Sequence, residues 1–373
     1  MKRFLLTLGF FLLIFVGLLY VAPVSAASPP QSNDTCLFCH SQEGFTVELP
    51  GGETLLLTID KSAFEEGVHG SNQLACVDCH TDITGFPHPE RTYQTLREVS
   101  MHYYVSCQKC HSEQYQLTLD SVHQRALAAG NTNAAICTDC HNPHYQHRLT
   151  DPESGAVTPT ARVNIPKTCA RCHSLIYGEY KESVHGSALT DGNPDVPTCI
   201  DCHGVHNVRG PQEGNFAFHN LTPQLCARCH TDASIMDKYG ISTQILDTYV
   251  ADFHGTTVVL FEKIAPDQPT NKPVCTDCHG VHSIKRTDDP QYGIAMKDNL
   301  LTTCRRCHPD ATADFPDAWM RHYIPSPDRY PVVYYVNLFY KILIPLVIGG
   351  MAIFVLTDAI RRLMDRRKGA AHS

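Results

Sequence analysis

The feature that most constrains this chain is a five-residue pattern, Cys-x-x-Cys-His, which occurs nine times. In c-type haem attachment, two cysteine sulfurs bond the porphyrin and the adjacent histidine binds the iron, and this spacing is typical of that chemistry. The nine pairs use all 18 cysteines, so none remains for a disulfide, a zinc cluster or a thiol nucleophile. A zinc half-site or a redox dithiol could explain one pair, but a histidine after every pair favours nine covalent c-type haems.

Two sets of residues follow directly from the pattern. The predicted attachment cysteines are Cys36, Cys39, Cys76, Cys79, Cys107, Cys110, Cys137, Cys140, Cys169, Cys172, Cys199, Cys202, Cys226, Cys229, Cys275, Cys278, Cys304 and Cys307. The predicted proximal iron ligands, here called the motif histidines, are His40, His80, His111, His141, His173, His203, His230, His279 and His308.

The motifs belong to a longer repeat that begins with one motif, the opener, and continues to a second, the closer. Openers begin at Cys36, Cys107, Cys169, Cys226 and Cys304, and closers at Cys76, Cys137, Cys199 and Cys275. An intervening histidine lies between opener and closer, usually before glycine, and a trailing histidine follows the closer. Four full repeats and a fifth opener account for all nine motifs.

Histidines that recur at matched positions are the candidate distal iron ligands. The intervening histidines are His69, His123, His185 and His254. The trailing histidines are His88, His144, His206 and His282, and His322 occupies the corresponding place after the fifth opener. His102 rivals His322 or His69, and His147, His219 and His372 are predicted to be surface residues. The sequence leaves open which distal histidine serves which haem.

The type of axial ligand indicates what the haems do. Methionine raises a haem's potential and a vacant position admits substrate, but Met101, Met236, Met296 and Met320 do not recur with the repeat. We therefore predict mostly six-coordinate, bis-histidine haems that carry electrons and have no catalytic residues. The alternatives are a reductase of a nitrogen or sulfur oxyanion at one five-coordinate haem, and a haem-based sensor, which the short C-terminal tail disfavours.

The predicted fold is mainly α, with long loops and low regular secondary structure around a core of porphyrins. Residues 27–330 form the predicted haem domain, which is polar and turn-rich. A strand or hairpin is expected over residues 49–60, where Leu55-Leu-Leu-Thr-Ile59 follows Gly51-Gly52.

The two ends of the chain have sequences typical of export and membrane attachment. Lys2 and Arg3 precede an apolar run and the small-residue sequence Val24-Ser25-Ala26, which predicts a signal peptide over residues 1–26; a retained anchor is the alternative. Residues 331–357 are apolar enough for one transmembrane helix, with a buried core helix as the alternative. Residues 358–373 form a basic tail that the positive-inside rule assigns to the cytoplasm, which leaves the haems on the periplasmic or extracellular side.

Charge restricts the choice of partners. The chain has a net charge of −8, and residues 27–340 alone carry 22 Lys and Arg against 36 Asp and Glu. This acidic balance disfavours nucleic acid and favours a basic or neutral redox partner.

The opener, His-Gly, closer and Gly-Val-His sequence resembles the multihaem c-type cytochromes of the hydroxylamine-oxidoreductase and tetrahaem electron-carrier superfamily. Residues 319–327, Trp-Met-Arg-His-Tyr-Ile-Pro-Ser-Pro, followed by an anchor, are similar to members that work beside an integral b-type cytochrome. The resemblance implies electron exchange between membrane quinol, or a b-type cytochrome or quinol-oxidising subunit, and a soluble or extracellular redox partner. The chain differs from the tetrahaem quinol-oxidising anchors in having nine motifs and a C-terminal anchor, and it lacks the Cys-x-x-Cys-Lys variant of pentahaem nitrite reductase.

Overall fold

The computed structural model describes residues 32–88, 92–210, 212–213, 216–264, 270–319 and 322–370. The predicted signal peptide and His372 lie outside these residues. The chain divides into two compact units, one ending at Thr158 and the other beginning at Pro159. Most described residues are helical and strands are short, so the predicted mainly α fold is confirmed.

The first unit consists of short helices connected by turns. Its helices are α1 Asn33–His40, α2 Lys61–Glu66, α3 Val68–Ser71, α4 Cys76–Cys79, α5 Leu96–Tyr103, α6 Ser112–Thr118, α7 Val122–Ala128 and α8 Cys137–Cys140. A 3₁₀ helix over Tyr104–Lys109 continues from α5 and contains the second opener's first cysteine.

The first unit contains a hairpin, which begins at Thr46 and ends at Leu56 and so lies slightly earlier than the strand or hairpin expected over residues 49–60. Strands β1 Thr46–Glu48 and β2 Thr54–Leu56 pair antiparallel, with Val47 opposite Leu55. Gly52 lies in the turn with φ +85°, a left-handed conformation that glycine adopts without steric cost. The hairpin places the Leu57 carbonyl beside the first motif histidine, His40.

The second unit repeats the pattern of the first and adds longer helices. Its elements are α9 Pro159–Ala170, α10 Ser174–Lys181, α11 Val184–Thr190, α12 Cys199–His203, β3 Gln212–Glu213, β4 Phe216–Ala217, α13 Phe218–His230, α14 Ala233–Met236, α15 Ile245–Ala251, α16 Phe253–Ile264, α17 Cys275–His279, α18 Lys297–Arg305 and α19 Pro331–Ala370. Short 3₁₀ helices cover Asp237–Tyr239 and Phe315–Ala318.

The last helix, α19, fits the predicted transmembrane segment. Its Pro331–Asp365 part is long and apolar enough to cross a bilayer, and none of its most apolar window is buried. Pro331 begins the helix, where its missing N–H costs nothing because a residue at that position has no helical acceptor. A second proline, Pro345, lies inside the continuous helix. By length and composition the chain therefore has one candidate membrane span among its described residues, consistent with single-pass anchoring.

Candidate haem-binding sites

Every closer forms a single helical turn that is fixed by its own aspartate. The residue before the second cysteine is Asp78, Asp139, Asp201 or Asp277. Each carboxylate accepts a hydrogen bond from the backbone N–H just before the first cysteine, at 2.8, 2.8, 2.6 and 2.6 Å respectively. Because a carboxylate favours the N-terminus of a helix, the Cys-x-Asp-Cys-His sequence holds both cysteines and the motif histidine in one defined turn.

In three repeats a cationic or imidazole side chain ties this aspartate to the segment before the opener. The Asp139 carboxylate accepts a hydrogen bond from Arg97 at 2.7 Å, and the Asp201 carboxylate accepts one from Arg162 at 2.9 Å. Asp277 lies 2.8 Å from Nε2 of His219. The prediction that His219 is a surface residue is therefore wrong, since its side chain is half-buried against the fourth closer.

Intervening histidines lie near the start of helices, and a side chain caps the first turn of three of these helices, at Ser121, Ser183 and Asp252. The helix that contains His69 begins after Gly67 without such a cap. Oγ of Ser183 accepts a hydrogen bond from the Gly186 N–H at 3.0 Å, and this cap begins α11 two residues before His185. The glycine is required by packing, since a Cβ on Gly186 would overlap the Tyr180 carbonyl oxygen. The glycines after His69 and His254 meet carbonyls of the preceding helix in the same way, which explains the recurring His-Gly pair.

Trailing histidines follow a turn that glycine makes possible in the last two full repeats. Gly204 and Gly280 end helices α12 and α17 with φ +83° and +81°. Such left-handed residues stop a helix and redirect the chain. In the fourth repeat this turn carries the chain away from its own motif and brings His282 beside the motif histidine His203.

The structure brings the rings of seven motif histidines to within 6.0–6.4 Å of the rings of seven predicted distal histidines, measured between ring centroids. The pairs, with ring-centroid separations, are His40–His88 6.2 Å, His80–His144 6.1 Å, His111–His69 6.2 Å, His203–His282 6.0 Å, His230–His185 6.3 Å, His279–His322 6.4 Å and His308–His254 6.4 Å. Each pair joins one predicted proximal ligand to one predicted distal ligand.

These separations fit two axial ligands on one haem iron. Taking a metal–imidazole bond of about 2.0 Å and about 1.2 Å from ring nitrogen to ring centre, two rings on opposite sides of a metal have centroids about 6.4 Å apart. Directly stacked rings would lie closer together, and unrelated surface histidines would not repeat one distance seven times. The donor set therefore fits bis-histidine haem in all seven pairs.

Backbone carbonyls hold several of these imidazoles in the orientation that a ligand needs. Nδ1 of His40, His69 and His203 lies 2.8 Å from the carbonyl oxygens of Leu57, Pro143 and Arg209 respectively. A carbonyl can only accept a hydrogen bond, so Nδ1 carries the proton and Nε2 keeps its lone pair for a metal.

Burial keeps many of the paired imidazoles neutral. It lowers the pKa of His144, His185 and His279 to about 4, with neighbouring histidines adding to the effect. Burial likewise lowers the pKa of His80, His230, His282 and His322. A neutral imidazole is the form that binds iron, so iron binding by these histidines would require no deprotonation near neutral pH.

Within each unit the pairs connect successive repeats in the same way. The intervening histidine of one repeat lies beside the opener's histidine in the following repeat, as His69 lies beside His111. The trailing histidine of the following repeat lies beside the closer's histidine in the preceding one, as His144 lies beside His80. Matching backbone bonds accompany this exchange, since the N–H of Val68 donates to the Gln146 carbonyl at 2.7 Å and that of Val184 to the Ile284 carbonyl at 2.9 Å. His40 with His88 is the exception, because both belong to the first repeat.

Opener and closer sulfurs of one repeat lie in contact. The side chains of the first cysteines of the two motifs interact, in the pairs Cys36–Cys76, Cys107–Cys137, Cys169–Cys199 and Cys226–Cys275. As free thiols before haem attachment, Cys137 and Cys169 have a lowered pKa because of this contact. Groups attached to the two motifs of a repeat would therefore begin side by side.

The second cysteine of a closer lies near the next opener of the same unit. Burial raises the pKa of Cys202 to about 11, and the nearby Cys226 adds to that rise. Burial and Asp277 raise the pKa of Cys278 to about 11, with Cys304 contributing next. Cys110 likewise adds to the raised pKa of Cys79, after burial and Asp78. Within each unit, the second cysteine of a closer therefore lies near the cysteines of the next opener.

Five predicted ligands are not members of these seven pairs. His141, His173, His123 and His206 are described, and their assignment to haems stays a prediction. Nε2 of His102 lies 3.5 Å from the carboxylate of Asp82, and its ring contacts Tyr93 and Tyr103. The nearby motif histidine His80 is paired with His144 and not with His102. His147 is exposed, as predicted.

The described residues contain no group of three or more His, Cys, Asp or Glu side chains arranged to hold a metal ion. All 18 cysteines lie within the described ranges, and none forms a disulfide. What recurs is instead a pair of imidazoles beside a pair of cysteines, which is an arrangement that suits a c-type haem with two histidine ligands.

Comparison with known proteins agrees with this geometry. The family described as cytochrome c7 and related cytochrome c matches residues 62–142, which contain the motifs of Cys76, Cys107 and Cys137. The chain is also similar to the multiheme cytochrome MtrA of Shewanella baltica (strain OS185), with 25% identity over 247 residues that cover 54% of this chain and 67% of the relative. No solved structure matches. Motifs, paired imidazoles and matches together support a multihaem c-type cytochrome.

Proposed function

We propose that this protein is a membrane-anchored electron-transfer cytochrome with nine covalent c-type haems. The observation that carries the proposal is the seven-fold recurrence of a motif histidine facing a distal histidine at 6.0–6.4 Å. A bis-histidine haem supplies reversible one-electron storage and has no open position for a substrate.

The chain's own residues provide what electron transfer between such sites needs. Cysteine sulfurs in contact within each repeat fix the attachment points side by side, so that successive sites stay close. Carbonyl-bound Nδ1 atoms keep the ligands oriented, as at His40 and His203, so that little reorganisation accompanies a change of charge.

The proposed route begins at the membrane. His308 precedes the apolar helix α19 by fewer than 25 residues in the sequence, so we propose that its haem exchanges electrons with a quinol or with a b-type cytochrome or quinol-oxidising subunit. The other end of the route, at His40, exchanges electrons with a periplasmic or extracellular redox partner. The signal peptide, the outward position of the haems and the cytoplasmic basic tail belong to this proposal.

Purified full-length protein in detergent tests the haem count and the ligation. We expect an intact mass equal to the mature polypeptide plus nine haems, no thiol that reacts with a maleimide, and an entirely low-spin ferric spectrum. A substantially smaller haem mass, or free thiols, would contradict the proposal. A high-spin signal amounting to one haem in nine would favour the oxyanion reductase instead.

The membrane role needs a separate experiment. Protein in liposomes is mixed with a reduced quinol analogue, with and without membranes that contain the candidate b-type partner, and haem reduction is followed by absorbance. Reduction that requires α19 and the membrane supports the proposed route. Equal reduction of a variant truncated before Pro331 would contradict it.

A further inference from the structure

The seven paired histidines fall into two groups by the angle between their ring planes. Planes are near parallel in His40–His88 at 10°, His80–His144 at 7°, His203–His282 at 21° and His279–His322 at 17°. Planes are strongly tilted in His69–His111 at 59°, His185–His230 at 54° and His254–His308 at 49°. No pair lies between 21° and 49°.

The grouping follows the origin of the distal histidine. All four near-parallel pairs use a trailing histidine or its equivalent, His322, and all three tilted pairs use an intervening histidine. An intervening histidine is on the first turn of a helix, where the backbone fixes the direction of the side chain. A trailing histidine lies in the irregular segment after the closer, so the two backbones present their rings differently.

Hydrogen bonds keep the rings of the tilted group from turning freely. Nδ1 of His69 is held by the Pro143 carbonyl at 2.8 Å. Nδ1 of His254 lies 3.2 Å from the carboxylate of Asp252, which also caps the helix through the His254 N–H. The protein therefore sets the ring planes of His69 and His254.

The angle between axial imidazoles determines the electronic structure of low-spin ferric haem. Each ring donates π electrons into the iron d orbital whose lobes stand perpendicular to the ring plane. Parallel rings act on the same orbital and separate it in energy from its partner. Strongly tilted rings act on both orbitals, which stay close in energy and produce a much more anisotropic electron paramagnetic resonance signal.

We propose that intervening and trailing histidines create two spectroscopically distinct classes of haem, a strongly anisotropic class at His111, His230 and His308 and a rhombic class at His40, His80, His203 and His279. This inference rests on the proposed bis-histidine ligation. In the second unit the classes alternate from His203 through His230 and His279 to His308, because openers take intervening ligands and closers take trailing ones.

Electron paramagnetic resonance of the fully oxidised full-length protein tests the inference. We expect at least four rhombic and at least three strongly anisotropic low-spin haems, and the two haems of His141 and His173 can add to either class. A spectrum of one class alone, with all haems low-spin, overturns the inference while leaving the proposed ligation intact. A spectrum with several high-spin haems contradicts the ligation itself.

Two matched variants assign the classes to residues. His69→Ala removes an intervening ligand and is expected to abolish one strongly anisotropic signal, whereas His144→Ala removes a trailing ligand and is expected to abolish one rhombic signal. Each variant gains one high-spin haem if the haem is retained, or loses one haem by mass if it is not. In both cases the inference is judged by the class of the signal that disappears. Loss of a rhombic signal in His69→Ala, or of a strongly anisotropic signal in His144→Ala, overturns the inference.

Discussion

Single charged side chains connect the two motifs of a repeat. The guanidinium of Arg162 donates to the Val196 carbonyl at 2.8 Å and to the Asp201 carboxylate at 2.9 Å. Its side chain is 19% exposed, against 37% for the carboxylate, so water screens the pair only in part. Because Arg162 belongs to α9, which leads into the third opener, this contact fixes that opener beside its closer.

We expect Arg162→Ala to lower the free energy of unfolding by about 1–2 kcal/mol, since charge-assisted bonds to a partly exposed carboxylate are lost. Arg286→Ala is the matched control, because its guanidinium and the Asp288 carboxylate are both mostly exposed, and we expect it to change stability by less than about 0.5 kcal/mol. Thermal unfolding of the holoprotein measures both. Equal shifts in the two variants would show that the Arg162 contact does not stabilise the repeat.

The sequence predicted candidate ligand residues but could not predict how they pair. Recurrence at matched positions singled out His69 and His282 as candidates, because a required ligand would repeat with its motif. The partner of each depends on which backbone segments lie together, such as Val68 with Gln146, and those segments are far apart in the chain. The closer aspartates were visible as Cys-x-Asp-Cys-His and were missed, and with them the role of His219.

At the scale of the helix, glycine has opposite effects at two positions of the third repeat. Gly186 follows the distal histidine His185 and packs against the Tyr180 carbonyl, whereas a Cβ on Gly178 of α10 would meet nothing within 4 Å. Glycine therefore permits close packing at one position and only weakens the helix at the other.

We expect Gly186→Ala to destabilise the protein by about 1–3 kcal/mol, because the added methyl group forces α10 and α11 apart. It should also disturb ligation by His185, which a weaker or shifted low-spin signal would report. Gly178→Ala should stabilise the protein by about 0.5–1 kcal/mol, the usual gain within a helix. Thermal midpoints that move in the same direction for both variants would contradict this account.

Helix α19 is the element on which membrane attachment depends. Truncation after Ser326 should move the protein from the membrane fraction to the soluble fraction, because about 20 apolar residues supply the affinity for the bilayer. The haem count should stay unchanged, since the ninth motif ends at His308. Pro345→Ala keeps the span apolar and should stay in the membrane after a carbonate wash. A truncated protein that remains with the membrane would indicate another anchor.

At the scale of the whole molecule, few apolar side chains of the repeats are buried by protein alone among the described residues. Buried hydrophobic side chains such as Leu37, Leu189, Val258 and Leu300 are scattered among elements that are mostly one or two turns long. Helices this short are unstable alone, and each ordered residue costs about 1–2 kcal/mol of backbone entropy. With the proposed ligation, the exchange of histidines between successive repeats of a unit would make haem a main link between them.

The full chain produced without haem attachment should consequently lack its native structure outside α19. We expect the far-ultraviolet circular dichroism of this apoprotein, in detergent, to retain the contribution of α19 and to lose most of the helical signal of residues 32–330. Proteases should cut that region readily in the apoprotein and resist doing so in the holoprotein. Coupling of folding to a bound group, as with structural metals, is the physical basis. A cooperative thermal transition of the apoprotein with native-like helicity would instead show that side-chain packing alone specifies the fold.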